Sequence, residues 1–114
     1  MNETTITIDT EVKNQKLVIH IKGNLDVHNV HICEKPLMEK IRNNSEKFAI
    51  ISLKNVNFVS SAGLRILVTS LKICEEKGIE LRISDMKDPV KKVFQLVDMQ
   101  TLFHIYPTLS EALN

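Results

Sequence analysis

Four consecutive small residues, Ser60-Ser61-Ala62-Gly63, carry the clearest chemical potential in this chain of 114 residues. A hydroxyl at the mouth of a helix sits among backbone N–H groups that lack intrahelical acceptors, at the positive end of the helix dipole. It can cap the helix, sit beside a bound phosphate, or itself be phosphorylated. Gly63 weakens a helix by roughly 1 kcal/mol relative to alanine. Ala62 and Gly63 together leave a bare backbone around Ser61, open to close approach by another protein. The plainer reading of the same residues is an ordinary N-cap followed by a small first turn. Asp26 is the second candidate, either a helix cap or an acidic member of the same surface.

Enzyme chemistry finds little support. His28, His31 and Cys33 invite a metal reading, but Cys33 lies two residues beyond His31 and points away from any face the histidines share. No other Cys/His pair at ligand spacing supports them, so no metal and no cofactor is expected. Gly23, Gly63 and Gly78 are isolated and build neither a phosphate loop nor a dinucleotide fingerprint. A nucleophilic serine needs a base, and no histidine is placed near Ser61; Gly-x-Ser-x-Gly is absent. We therefore expect no catalytic residues. A small hydrolase using Ser61 or Asp26 is the weakest of the readings considered.

The elements that must position Ser61 and Asp26 follow from hydrophobic spacing. Phe48 to Leu53 is a short apolar run that fits a strand covered on both faces. From Leu64 the period changes: Leu64, Leu67, Val68, Leu71 and Cys74 recur at helical spacing, with Arg65, Lys72 and Glu75 off that face. Ser60-Ser61 falls where this strand has ended and this helix begins. Upstream, Thr5 to Val12 and Leu17 to Lys22 alternate and predict an antiparallel hairpin, with Val18, His20 and Lys22 on its outer side. Asp26 is offered as the N-cap of a helix running to about Asn43, with Pro36 forcing a kink or a late start. Lys77-Gly78 stops the central helix, and Ile79, Leu81 and Ile83 mark the next strand. Asp88-Pro89 opens a third helix, aspartate capping, that buries Val90, Val93, Phe94 and Val97. Leu102 to Tyr106 is a last strand, and Thr108-Leu109-Ser110-Glu111 a capping box. The order β-β-α-β-α-β-α-β-α predicts an α/β fold with a mixed, mostly parallel sheet of about five strands and about four helices. Loops after the second and third strands then share the sheet's carboxyl edge, which makes Asp26 and Ser61 neighbours.

Bulk properties narrow the classes further. One core, and a single domain over residues 1–114, suits this length. Lys and Arg number 15 against 14 Asp and Glu, a net charge of +1, so there is no electrostatic footprint for nucleic acid or an anionic membrane. The first residues lack a signal peptide's basic start and apolar centre, and no apolar run is long enough to insert into a bilayer. Cys33 and Cys74 read as reduced core thiols of a cytoplasmic protein.

Gly23-Asn-Leu-Asp26, Val56-Asn-Phe-Val-Ser-Ser-Ala-Gly-Leu64, Asp88-Pro-Val-Lys-Lys-Val-Phe-Gln-Leu96 and Phe103-His-Ile-Tyr-Pro-Thr-Leu-Ser-Glu-Ala-Leu113 resemble, in order, the motifs of the STAS domain. More narrowly, they resemble those of free-standing bacterial anti-sigma factor antagonists. The resemblance implies a partner-switching regulator that binds an anti-sigma factor, itself a serine kinase, when unphosphorylated, and is inactivated by phosphorylation at Ser61. It implies a partner surface of Asp26, Ser60, Ser61, Ala62, Gly63, Leu64 and Arg65, with Leu64 equally readable as core. The family's usual motif has aspartate before the phosphorylated serine and a serine or threonine after it. Here these are Ser60 and Ala62, so a negative charge is gone and Ser60 becomes an alternative acceptor. The same resemblance leaves a second role open, a STAS subunit of a membrane transport system for lipids or anions.

Overall fold

The computed structural model describes residues 6–114, so Thr5, where the first predicted strand begins, lies outside it. Nine elements follow in the expected order: β1 (Thr7–Lys13), β2 (Lys16–Lys22), α1 (Val30–Arg42), β3 (Phe48–Asn55), α2 (Ser61–Lys77), β4 (Glu80–Ser84), α3 (Asp88–Leu96), β5 (His104–Tyr106) and α4 (Leu109–Ala112). The five strands lie side by side in sequence order, β1 antiparallel to β2 and the remaining neighbours parallel. Asn14 and Gln15, both at positive φ, form the two-residue turn whose twist suits the β1–β2 hairpin.

Right-handed crossovers that always step in one direction put every connecting helix on the same face of a sheet. The core obeys this. Ile19, Ile21, Ala49, Ile51, Leu53, Leu81 and Ile83 point to one side and bury against Val30, Leu37, Ile41, Ile66, Leu67, Val90 and Phe94 from the three helices. The opposite face is covered by α4, where Val18 and Ile50 pack with Ala112 and Leu113. Val18, expected on the outer side of its hairpin, is therefore fully buried; alternation alone shows which residues share a face, not whether that face is later covered.

Helix ends account for most remaining differences. Asp26 does not cap α1. Its Oδ1 accepts the N–H groups of His28 (3.0 Å) and Asn29 (3.1 Å), a local turn that delays the helix to Val30. Pro36 nonetheless sits inside α1, where it has no N–H to offer the Ile32 carbonyl. At α3 the cap position is Lys87, with Asp88 in the first turn and no side-chain cap bond; there the aspartate acts through charge on the dipole. The α2 terminus is as expected. Gly78 adopts φ 72°, its N–H donates to the Glu75 carbonyl (3.2 Å), and the Ile79 N–H reaches the Cys74 carbonyl (2.8 Å), a Schellman closure.

Candidate functional site

At the carboxyl edge of the sheet, the loops after β2 and β3 are joined backbone to backbone. Leu25 and Val59 form an isolated parallel bridge. The Leu25 N–H donates to the Phe58 carbonyl (2.9 Å), and the Ser60 N–H donates to the Leu25 carbonyl (2.8 Å). Asp26 and Ser61 thus follow directly on two residues, Leu25 and Ser60, that are hydrogen-bonded to each other. The loop after β4 joins the same edge through Lys87 Nζ, which donates to Asn57 Oδ1 at 2.6 Å.

The two serines differ completely in their engagement. Ser60, in extended backbone at φ −89° and ψ 175°, is the N-cap of α2. Its hydroxyl accepts the Gly63 N–H (3.2 Å) and donates to the Leu25 carbonyl (3.2 Å). The Ser60 carbonyl takes the Leu64 N–H (2.9 Å). Ser61 is the first helical residue and is exposed. The first-turn amides of Ser61 and Ala62 stand beyond the reach of intrahelical acceptors, so the Ser61 hydroxyl lies where negative charge is favoured.

Gly63 corrects an expectation. It does not offer bare backbone to a partner; it is buried, and a Cβ there would lie 2.4 Å from the Leu25 carbonyl and 2.8 Å from Leu25 Cβ. Glycine is required so that α2 can start hard against the β2–α1 loop. Leu64 is core, 4% exposed, yet its edge lines an open apolar groove of about 300 Å³ with Ser61, Arg65, Val68, Val97 and Met99. Ala62 is half-buried and Arg65 exposed. Arg65 Nη1 lies 3.7 Å from Glu34 Oε2 on α1.

The family model for the STAS domain matches residues 7–112. This chain belongs to the STAS domain family. Among its relatives, an anti-sigma F factor antagonist of Paenibacillus polymyxa is 29% identical over 109 residues, covering 96% of this chain and 91% of that protein. An anti-sigma factor antagonist from Mycobacterium paratuberculosis shares the fold with a TM-score of 0.85 at 23% identity, over 96% of this chain and 92% of its own. A Bacillus cell fate determinant in its phosphorylated form superposes with a TM-score of 0.66 at 20% identity, over 93% and 96% of the two chains.

Within this STAS domain, the structure brings together Asp26, Ser60, Ser61 and Arg65 at one rim and turns Gly63 and most of Leu64 inward. Cys33 points into the core while His28 and His31 are exposed. Among the described residues, no helix is long and apolar enough to cross a membrane. Three groove residues escaped the sequence reading of the site. Val97, expected on the buried face of α3, lies past the helix end and is 50% exposed; Met99 carries no local pattern that marks it, and the spacing of Val68 marks only a helix stripe. Val97 follows the last residue of α3, where helical spacing no longer fixes which way a side chain faces, and its neighbour Leu96 is 85% exposed.

Proposed function

We propose that this STAS domain is an anti-sigma factor antagonist switched by phosphorylation of Ser61. Unphosphorylated, it binds an anti-sigma factor and so releases the sigma factor that protein holds. The anti-sigma factor is also the kinase: the γ-phosphoryl group of ATP passes to Ser61 Oγ, the hydroxyl proton leaves to a base on the kinase, and ADP departs. One observation carries the choice of residue. Ser61 is an exposed residue in the first turn of α2, whereas Ser60 is partly buried and its hydroxyl is committed to two hydrogen bonds. The work is regulatory and cytoplasmic, and needs no cofactor on this chain.

The switch is electrostatic. A phosphoserine carries about −1.5 to −2 charges at pH 7, and the N-terminus of the 17-residue α2 tolerates them. The domain keeps its fold. A partner packed over Ala62, the edge of Leu64 and the adjoining groove would have to desolvate a dianion. A loss of about 3 kcal/mol in binding lowers affinity roughly 150-fold, sufficient for switching without any large conformational change.

The test pairs the chain with its cognate anti-sigma factor and ATP, followed by site mapping by mass spectrometry. One phosphate is expected on Ser61, retained in Ser60→Ala and lost in Ser61→Ala. Ser61→Asp is expected to melt within a few degrees of wild type and to bind at least about 100-fold more weakly. Modification elsewhere, wild-type binding by Ser61→Asp, or recovery of membrane transport components and no kinase in a pull-down would each overturn this reading.

A further inference from the structure

Arg65 stands four residues after Ser61 on α2, which places the two side chains on one face, one turn apart. Its present partner holds it weakly. The 3.7 Å separation from Glu34 exceeds a direct hydrogen bond, and 61% of the arginine side chain and 38% of the glutamate side chain are exposed. Pairs this open to water contribute little. Ser61 and Arg65 also border the same apolar groove, floored by Leu64, Val68, Val97 and Met99. A guanidinium moving from Glu34 toward Ser61 therefore stays on a rim it already occupies.

We propose that Arg65 changes partner when Ser61 is phosphorylated, leaving Glu34, pairing with the phosphate and closing over the apolar groove between α2 and the segment after α3. The inference rests on the reading of Ser61 as the modified residue. A phosphate offers more charge than a carboxylate and three acceptor oxygens that match the guanidinium fork. Asp26, on the loop joined to the α2 N-terminus, turns one carboxylate oxygen, Oδ1, to the amides of His28 and Asn29, and a phosphate on Ser61 outcompetes its single charge for the guanidinium. Rotation about side-chain bonds suffices, so α1 and α2 keep their packing. The surface then changes twice at once: Glu34 is left unpaired, and the aliphatic floor of the groove is screened by an ion pair.

The experiment installs phosphoserine at position 61 during synthesis, so that no kinase enters the measurement. In the phosphorylated chain the Arg65 Nε–Hε resonance is expected to move downfield and to exchange more slowly with water, and the methyl resonances of Leu64, Val68 and Val97 to shift with it. Arg65→Gln carrying the same phosphoserine should lose the methyl shifts while its amide spectrum away from the site is unchanged. Glu34→Gln should keep the full phosphorylated signature. An Arg65 resonance indifferent to the phosphate, or groove methyls that shift equally in Arg65→Gln, would overturn the pairing. The kinase assay tests the site by itself, and this measurement tests the pairing by itself, so the two failures are distinguishable.

Discussion

Gly63 shows how a single residue's meaning depends on what faces it. By helix propensity, Gly63→Ala should stabilise α2 by roughly 1 kcal/mol. In place, the added methyl meets a backbone carbonyl at 2.4 Å, the same Leu25 carbonyl that receives both the amide and the hydroxyl of Ser60. Backbone cannot step aside as a flexible side chain does. We expect Gly63→Ala to destabilise the domain by about 1–3 kcal/mol, measured by urea denaturation, with amide exchange accelerated first around Leu25 and Ser60. A stabilised variant would show that the close approach is absent. That a serine caps α2 was legible from the strand-to-helix change of period. The partner of Gly63 was not, since it lies 38 residues earlier and only the sheet brings it near.

Elements, rather than residues, decide the second face of the sheet. A four-residue helix cannot hold itself, and α4 (Leu109–Ala112) is fastened by Thr108 and by Arg82. The Thr108 hydroxyl accepts the Glu111 N–H (3.1 Å), as its capping-box spacing promised. Arg82, which alternation would place toward solvent, is 8% exposed. Its Nη1 donates to the carbonyls of Ala112 (2.6 Å) and Asn114 (2.9 Å), and its Nε to Glu80 Oε2 (2.7 Å). The guanidinium also stacks 4.6 Å from the Phe48 ring centroid. Replacing it with an aliphatic residue removes charge-assisted bonds worth about 1.5–3 kcal/mol each. Arg82→Leu is expected to lower stability by at least about 2 kcal/mol and to release α4 preferentially, seen as loss of amide protection at Ala112 and Leu113. Kinase recognition of Ser61 should persist, because α4 lies across the sheet from α2. Equal loss of protection in α2 and α4 would contradict this separation.

At the scale of the whole molecule, the two layers leave Cys33 and Cys74 sealed within the core on α1 and α2. Burial, with smaller contributions from Glu34 and Glu75, pushes both thiols up to about 11 from an ordinary 9.0. The folded state therefore prefers the neutral thiol. Its contribution is intact below pH 9, where the unfolded thiols are also protonated, and is lost as pH rises from 9 toward 11. Stability should fall across that window more steeply in wild type than in the Cys33→Ala, Cys74→Ala double variant, which removes the effect while other alkaline titrations remain. Both thiols should also resist a disulfide reagent at pH 8 until denaturant is added. Rapid labelling of the folded protein, or parallel pH profiles for the two proteins, would refute it.

The element order, the parallel character of the sheet and the position of Ser61 at a strand-to-helix junction all followed from local spacing. Period 2 against period 3.6, a glycine stop at Gly78 and a capping box at Thr108 are each set by residues a few positions apart. The tertiary structure alone decided which of the two serines is spent on structure, that Gly63 faces inward, that Val18 and Arg82 are covered, and that Val97 and Met99 open a groove beside Ser61. Each of these turns on contacts between segments distant in sequence, and burial is a property of what the sheet and helices bring together rather than of any stretch of chain.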